Sequence, residues 1–280
     1  MEQNDAFNTD GLVPLRPLTL AGDEDYEDIN NARKTSHSLR YFDFLVSLSQ
    51  FSGFLMLVLT GYYFSIINRG YQWGADGEFH GNVNIHGLFM TIGLVFFQGE
   101  ALLSYRLYRH EPKITSKIIH GSFHFAAIAL VTFAMIAVVN AKNLKDATIP
   151  HMYSIHSWIG VGIMSVYVVQ LALGFLAFFF PKASRDLRRK FHPIHRTVSL
   201  ISFSASLAQV LLGNQNYQSI LQMQRMQYPK DCALNLSCPQ HPFLVQNFNM
   251  LATVFYGITV IVLSVNPNWR RRSTPDEKEA

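Results

Sequence analysis

Six long stretches with almost no charged residue constrain the fold of this chain more than any other feature. Each could cross the hydrocarbon core of a bilayer, which takes about 20 apolar residues as an α-helix, although the fifth is long enough only if it begins near His192. Only 15% of the residues are charged, against about a quarter in a soluble domain. The sequence therefore predicts an all-α integral membrane protein with six transmembrane helices, near residues 44–67, 83–105, 118–139, 152–180, 197–224 and 242–265.

Lysines and arginines flank these stretches unevenly and predict the orientation of the chain. Most lie in segments on the side that holds both termini, and positively charged segments stay in the cytoplasm. We therefore expect a flexible cytoplasmic tail at residues 1–40, a membrane domain at 41–266 and a short cytoplasmic tail at 267–280. The net charge of +4 follows from this topology and does not indicate a nucleic-acid partner.

The predicted outer loop between the last two helices contains signals typical of the lumen or cell exterior. Cys232 and Cys238 are the only cysteines and could form a disulfide in an oxidising compartment. Between them, Asn235 begins an N-glycosylation motif. Residues 26–29 (YEDI) fit a tyrosine-based sorting pattern, which favours an endosomal, lysosomal or secretory-vesicle membrane over the plasma membrane.

Four histidines lie near the beginnings of four successive predicted helices. His86 and His156 belong to helices that start on the outer side, whereas His120 and His195 belong to helices that start on the inner side. Two imidazole pairs result, roughly 20 Å apart. An imidazole from each of two facing helices can ligate a haem iron axially, whereas zinc takes three or four protein ligands. We therefore predict that the central four helices form a bundle around two haems without an open iron position, which favours electron transfer.

Three further polar residues lie in or beside the predicted helices, and the sequence leaves the roles of two of them open. His124 lies one turn after His120 and could either hydrogen-bond near it or replace it as a ligand. His192 lies at the inner interface. Glu100 could neutralise a charge or accept a hydrogen bond near the inner pair, or it could extend to that interface. The remaining histidines are interpreted as solvated surface residues: His37, His80, His110, His151 and His241.

The paired histidines fall within the strings NIHGLFMTIGLVFFQGEALLSYRLYR, KITSKIIHGSFH, MYSIHSWIG and HPIHR. Together these strings resemble the eukaryotic cytochrome b561 family of ascorbate-dependent transmembrane oxidoreductases. The resemblance covers residues 41–265 and implies six helices, two b haems and cytoplasmic ascorbate as the electron donor. It also implies the ligand pairs His86 with His156 and His120 with His195, and a homodimer.

The inner face offers cations for the donor, because ascorbate is an anion at neutral pH. Any one of these cations could instead serve only to anchor the topology. The family's cytoplasmic ascorbate site corresponds to this group, in which we expect the contacts to be Arg106, Lys113, Lys117 and Arg188.

The family's outer substrate region corresponds to Asn143, Tyr153 and Ser154. Several relatives have a histidine before that asparagine, whereas this chain has Lys142. Lysine attracts anions but binds ferric iron poorly. The expected acceptor is monodehydroascorbate or ferric iron, and Lys142 favours an anion or a chelate.

Two other functions are compatible with histidines inside a membrane. One is a proton-coupled transporter, although transporters usually have broken helices at mid-membrane and this sequence has no glycine or proline break there. The other is a haem-bearing membrane anchor for a partner enzyme, which would not need a cationic donor site. A haem spectrum would exclude the transporter, and reduction of that spectrum by ascorbate would exclude the anchor.

Overall fold

The computed structural model describes residues 21–67, 70–73, 79–144, 149–223 and 242–271, with the backbone alone for 21–37, 221–223 and 242–243. The predicted disulfide and glycosylation site, Cys232, Cys238 and Asn235, lie outside the described residues, as do the side chains of residues 26–29. The chain divides into two compact units, Met1–Phe44 and Leu45–Ala280. The described part of the first unit, from residue 21, is helical, and the second unit contains all the predicted site residues.

Six long helices follow one another in the described residues, and no strand occurs among them. Their lengths and apolar composition allow all six to cross a membrane, which confirms the predicted fold class. A short 3₁₀ turn, Pro267–Trp269, follows the last helix. The helices are α1 Ala21–Ile66, α2 Phe79–Leu107, α3 Lys113–Asn143, α4 Ile155–Phe178, α5 Arg185–Met223 and α6 Pro242–Val265.

Four helices begin earlier than the uncharged stretches suggest, with the largest differences at α1 and α5. Helix α1 begins at Ala21, inside the segment expected to be a tail. Helix α5 begins at Arg185, where the Ser184 hydroxyl accepts a hydrogen bond from the Leu187 amide at 3.3 Å and Asp186 occupies the first turn. A capping hydroxyl and an acidic residue both stabilise a helix N-terminus. Absence of charge thus identified the part of each helix suited to lipid, but it identified both helix ends only for α6, Pro242–Val265.

The central four helices form two packed pairs, α2 along α3 and α4 along α5. Two cavities lie between these pairs, and residues of all four helices line each cavity. Helix α2 contains a π-helical turn, Thr91–Phe97, between its two α-helical parts. Such turns often occur at functional sites.

Asn84 joins the outer end of α2 to the end of α1. Its amide nitrogen lies 3.3 Å from the Phe64 carbonyl, 3.0 Å from that of Ile67 and 2.8 Å from that of Gly70. The Phe64 carbonyl lies in the last turn of α1, where carbonyls have no partner within the helix, and the other two carbonyls belong to the segment that follows. Tyr217 of α5 donates to the Asn84 side-chain oxygen at 2.8 Å, so α1, α2 and α5 meet at one polar point.

Candidate functional site

His86 and His156, called the outer pair after the side predicted from the sequence, join α2 to α4. The ring centroids of His86 and His156 are 6.4 Å apart, with an angle of 89° between the rings. The Nδ1 atom of His86 is 3.1 Å from the Ala134 carbonyl, and that of His156 is 3.1 Å from the Gln209 side-chain oxygen. Because these oxygens can only accept, Nδ1 carries the proton in both rings and Nε2 keeps its lone pair.

The inner pair joins α3 to α5. The ring centroids of His120 and His195 are 6.5 Å apart, with an angle of 66° between the rings. His120 donates from Nδ1 to the Ala101 carbonyl at 2.8 Å. Within the described residues, Nδ1 of His195 is buried without a hydrogen-bond partner. Gln170 donates to the His195 backbone carbonyl at 2.6 Å, which ties this turn of α5 to α4.

The spacing of both pairs fits a metal ion held between two imidazoles. A metal–nitrogen bond of about 2.0 Å and a further ~1.1 Å from that nitrogen to the ring centroid put two axial rings about 6.3 Å apart. The observed 6.4 and 6.5 Å match this value. Among the described residues no cluster of three or more His, Cys, Asp or Glu side chains could hold a metal ion. The donor set therefore suits a haem, whose porphyrin supplies the other four iron ligands.

Glycines of the facing helix leave room for one ring in each pair. A Cβ at Gly213 of α5 would lie 2.8 Å from Cε1 of His156, and a Cβ at Gly174 of α4 would lie 2.9 Å from Cε1 of His195. Any larger residue at either position would displace the imidazole. The space for one ring of each pair is therefore provided by a glycine of the facing helix.

The two imidazole pairs lie at different depths of the same bundle. His86 contacts Ala134, which follows His120 on α3, and His120 contacts Ala101, which follows His86 on α2. The offsets are 14 and 15 residues, or about 21 to 23 Å at the helical rise of ~1.5 Å per residue. This separation agrees with the roughly 20 Å expected from the sequence.

His124 and His192 flank the inner pair in different ways. The His124 ring is 4.5 Å from that of His120, and its Nδ1 lies 2.7 Å from the Tyr167 hydroxyl of α4. It is the ring of His120 that faces His195 at the metal-bridging distance, which favours His120 as the ligand. His192 is exposed at the cavity wall with its ring 6.2 Å from that of Phe178.

The inner cavity, of about 680 Å³, has a strongly cationic wall. No acidic side chain of the described residues lines it. A cavity lined by one sign of charge concentrates ions of the opposite sign. All four cations predicted for the donor site are present, together with five others; the nine are Arg106, Lys113, Lys117, Arg185, Arg188, Arg189, Arg196, Arg270 and Arg271.

Hydrogen bonds to backbone carbonyls hold several of these cations in place, and among the described residues two of them have a buried donor atom without a partner. Arg106 is buried and donates from Nη2 to the Ser264 carbonyl, which also accepts from Arg196 at 3.0 Å. Lys117 donates to the Phe178 carbonyl at 3.1 Å. In the described part of the chain, Nη1 of Arg106 and Nε of Arg188 are buried without partners. Sequence reasoning missed Arg196, although it follows a predicted haem ligand directly.

The outer cavity, of about 230 Å³, contains only part of the predicted acceptor region. Tyr153 and Ser154 line it, and the Ser154 hydroxyl caps α4 by accepting from the Ser157 amide at 3.4 Å. Asn143 does not line this cavity. Its side-chain oxygen instead lies 2.9 Å from Nε2 of His151, an exposed residue that does line the cavity.

Two histidines near the outer cavity make contacts that the sequence interpretation did not include. His151 is exposed as expected, but it contacts the predicted acceptor region, and only its closeness in sequence to Tyr153 could have indicated this. His80 was interpreted as a solvated loop residue. It is half-buried in the first turn of α2, with Nδ1 3.3 Å from the Tyr217 hydroxyl. The helix begins earlier than the uncharged stretch, which explains the difference.

Six helical spans and two facing imidazole pairs at different depths of one bundle define a multi-pass membrane protein. The sequence profile of eukaryotic cytochrome b561 matches residues 85–220, a range that contains all four paired histidines. The chain belongs to the eukaryotic cytochrome b561 family, which is a haem-binding family.

Three relatives illustrate this similarity. The Homo sapiens transmembrane ascorbate-dependent reductase CYB561 is 31% identical over 251 residues, which is 88% of this chain and 91% of the relative. The Caenorhabditis elegans protein named putative transmembrane ascorbate-dependent reductase CYB561 homolog is 30% identical over 253 residues, with the same coverage of 88% and 91%. The Xenopus laevis plasma membrane ascorbate-dependent reductase CYBRD1 is 32% identical over 254 residues, covering 85% of this chain and 84% of the relative.

Proposed function

We propose that this protein transfers electrons from cytoplasmic ascorbate, through two b haems, to monodehydroascorbate or ferric iron on the outer or luminal side. The observation that carries this proposal is the presence of two imidazole pairs with centroids 6.4 and 6.5 Å apart at two depths of one bundle. Relatives named as ascorbate-dependent transmembrane reductases support the same reaction class.

The residues that would hold the haems are His86 with His156 and His120 with His195. When bound, the haems would supply one-electron chemistry, and two imidazoles for each iron would leave no iron position open to oxygen. The protein fixes three of the rings through Nδ1 and thereby leaves Nε2 for the metal. Such a hydrogen bond also makes an imidazole a stronger ligand.

The donor site proposed for ascorbate is the inner cationic cavity. Lys113, Lys117 and Arg188 would attract the anion, and charge-assisted hydrogen bonds would hold its oxygens. Arg106 lies deeper, and its Nη1 could bind a ligand oxygen without losing the contact of Nη2 with Ser264. The proton that ascorbate loses on oxidation would remain on the cytoplasmic side.

The acceptor site proposed for the outer side is the cavity beside His156. Tyr153 and Ser154 line it, and Asn143 would act from its rim together with His151. Lys142 also lines the cavity and lies 5.4 Å from the centre of the Phe79 ring, a cation–π contact that restrains the ammonium group. A restrained ammonium group suits an anionic acceptor better than a bare ferric ion.

The remaining predictions from the sequence extend this proposal to the cellular setting. Both termini would face the cytoplasm, with residues 1–40 and 267–280 as tails. The membrane would be endosomal, lysosomal or that of a secretory vesicle, and the protein would form a homodimer. The luminal loop would contain a disulfide between Cys232 and Cys238 and a glycan on Asn235.

Reconstitution in liposomes tests the proposal. Ascorbate is supplied on one side, and a ferric chelate or monodehydroascorbate is enclosed on the other. Ascorbate should reduce the haem spectrum, and the enclosed acceptor should then be reduced. His156→Ala should abolish this transfer, whereas His110→Ala, at an exposed histidine outside both cavities, should not. Full transfer by His156→Ala would refute the ligand assignment, and a haem spectrum that ascorbate cannot reduce would favour a membrane anchor.

A further inference from the structure

A buried carboxyl group lies between three helices at the level of the inner imidazole pair. Glu100 of α2 is 5% exposed, so its side chain does not extend to the interface. Its Oε1 atom accepts from the Gln50 amide of α1 at 3.0 Å and lies 3.0 Å from the Tyr256 hydroxyl of α6. The sequence left this choice open, and the structure resolves it in favour of burial.

No cation of the described residues forms an ion pair with this carboxyl group. Tyr256 is the titratable side chain that contacts it; Arg106, further along α2, binds the Ser264 carbonyl, and His120 of α3 binds the Ala101 carbonyl. The Gln98 side chain meets serines of α5. An ionised carboxylate buried in a membrane without a cation is strongly unfavourable.

Two separate hydrogen bonds at the contacts of Tyr256 would need one more proton than a phenol supplies. Its hydroxyl oxygen lies 3.0 Å from the Phe96 carbonyl and 3.0 Å from Glu100 Oε1. A phenol has one proton, and the carbonyl oxygen has none. If Tyr256 donates to Phe96, two lone pairs would face each other across the second contact unless the Glu100 oxygen carries a proton.

Packing holds Tyr256 in this position. A Cβ at Gly99 of α2 would collide with the Tyr256 hydroxyl, and a Cβ at Gly53 of α1 would lie 2.9 Å from its ring. The Phe96 carbonyl belongs to the π-helical turn, where the regular α-helical hydrogen-bond ladder is interrupted. Tyr256 therefore cannot move away from the carboxyl group without displacing α1 or α2.

We propose that Glu100 is held as a neutral carboxylic acid that donates its proton to Tyr256. The hydrogen bonds then run in one direction, from Gln50 to Glu100, to Tyr256 and to the Phe96 carbonyl. The next residue, Ala101, provides the carbonyl that accepts from His120 Nδ1 at 2.8 Å. Glu100 is thus a positioning residue that fixes α2 where it orients His120, a role that rests on the proposed function.

Infrared difference spectroscopy of the purified protein at neutral pH tests the protonation state. The wild type should show the C=O stretching band of a protonated carboxylic acid, which Glu100→Gln should lose and Tyr256→Phe should shift. Asp186→Asn is the control, because Asp186 is exposed and pairs with Lys190 at 2.9 Å. A Glu100→Gln spectrum without loss of such a band would overturn the neutral acid. This measurement does not need haem, so it can fail independently of the proposed function.

The reduction potential of the inner haem tests the positioning role. Glu100→Gln replaces one neutral group by another and should leave the potential unchanged, whereas Glu100→Leu removes the hydrogen-bond chain and should shift it. An ionised Glu100 would instead make the potential rise in Glu100→Gln, because a negative charge is lost, and that rise would overturn the proposal. An unchanged potential in Glu100→Leu would overturn the positioning role alone.

Discussion

Replacing Gln209 by leucine should weaken the outer haem site selectively. Gln209 of α5 accepts from Nδ1 of His156 at 3.1 Å and donates to the His156 carbonyl at 2.7 Å. It is buried, so water does not readily replace these contacts. Leucine has a similar size but neither polar atom, so the His156 ring would lose the contact that sets its orientation and its tautomer.

The expected loss of affinity follows from this one hydrogen bond. Leaving a buried donor without a partner costs about 1–3 kcal/mol. Because each 1.4 kcal/mol is about tenfold in affinity, haem binding at the outer site should weaken roughly 10- to 100-fold. The structure offers a matched control in Gln170, which donates to the His195 carbonyl at 2.6 Å and to the Ser199 hydroxyl at 3.1 Å.

Titration of haem-depleted protein with haem measures both sites. Gln209→Leu should lose affinity at the outer site and keep the inner site. Gln170→Leu removes contacts with the His195 backbone and not with its ring, and it should leave the outer site unchanged. Spectra of His156→Ala and His195→Ala assign the two binding phases. Unchanged affinity in Gln209→Leu, or weakening of the same phase by both leucine variants, would contradict the proposed arrangement.

Three further predictions concern the substrate cavities and the inner pair. The double variant Lys113→Ala, Lys117→Ala should raise the KM for ascorbate and reduce its dependence on ionic strength; an unchanged KM would show that both lysines only anchor the topology. His151→Ala should slow transfer to the outer acceptor without slowing haem reduction by ascorbate, as stopped-flow spectra would show, and slower haem reduction would contradict this. Tyr167→Phe removes the contact with His124 and should lower the free energy of unfolding, measured in denaturant titrations, by about 1 kcal/mol. Both haems should be retained, and loss of a haem would indicate that His124 is a ligand.

The sequence predicted the six spans and the depth of the paired histidines because both depend on local properties. A stretch that lacks charge for about 20 residues has few alternatives to a transmembrane helix. The alternating direction of such helices then places His86 with His156 and His120 with His195. The helix ends were less predictable, since polar segments such as the start of α5 continue a helix by capping.

The surroundings of the histidines could not be predicted in the same way. His86 and His120 bind the backbone carbonyls of Ala134 and Ala101, and every residue carries such a carbonyl. The burial of Glu100 depends on Tyr256, which is far away in sequence. No periodic pattern links residues on different helices, so these contacts became visible only in three dimensions.

The most direct test of the central claim is to count the haems per chain and to determine how the count depends on each histidine pair. Quantification of b haem in the purified protein should give two per chain. His156→Ala and His195→Ala should each retain one haem, with different spectra and potentials. A single haem in the wild type, or the same haem lost from both variants, would contradict two imidazole pairs that bind two haems.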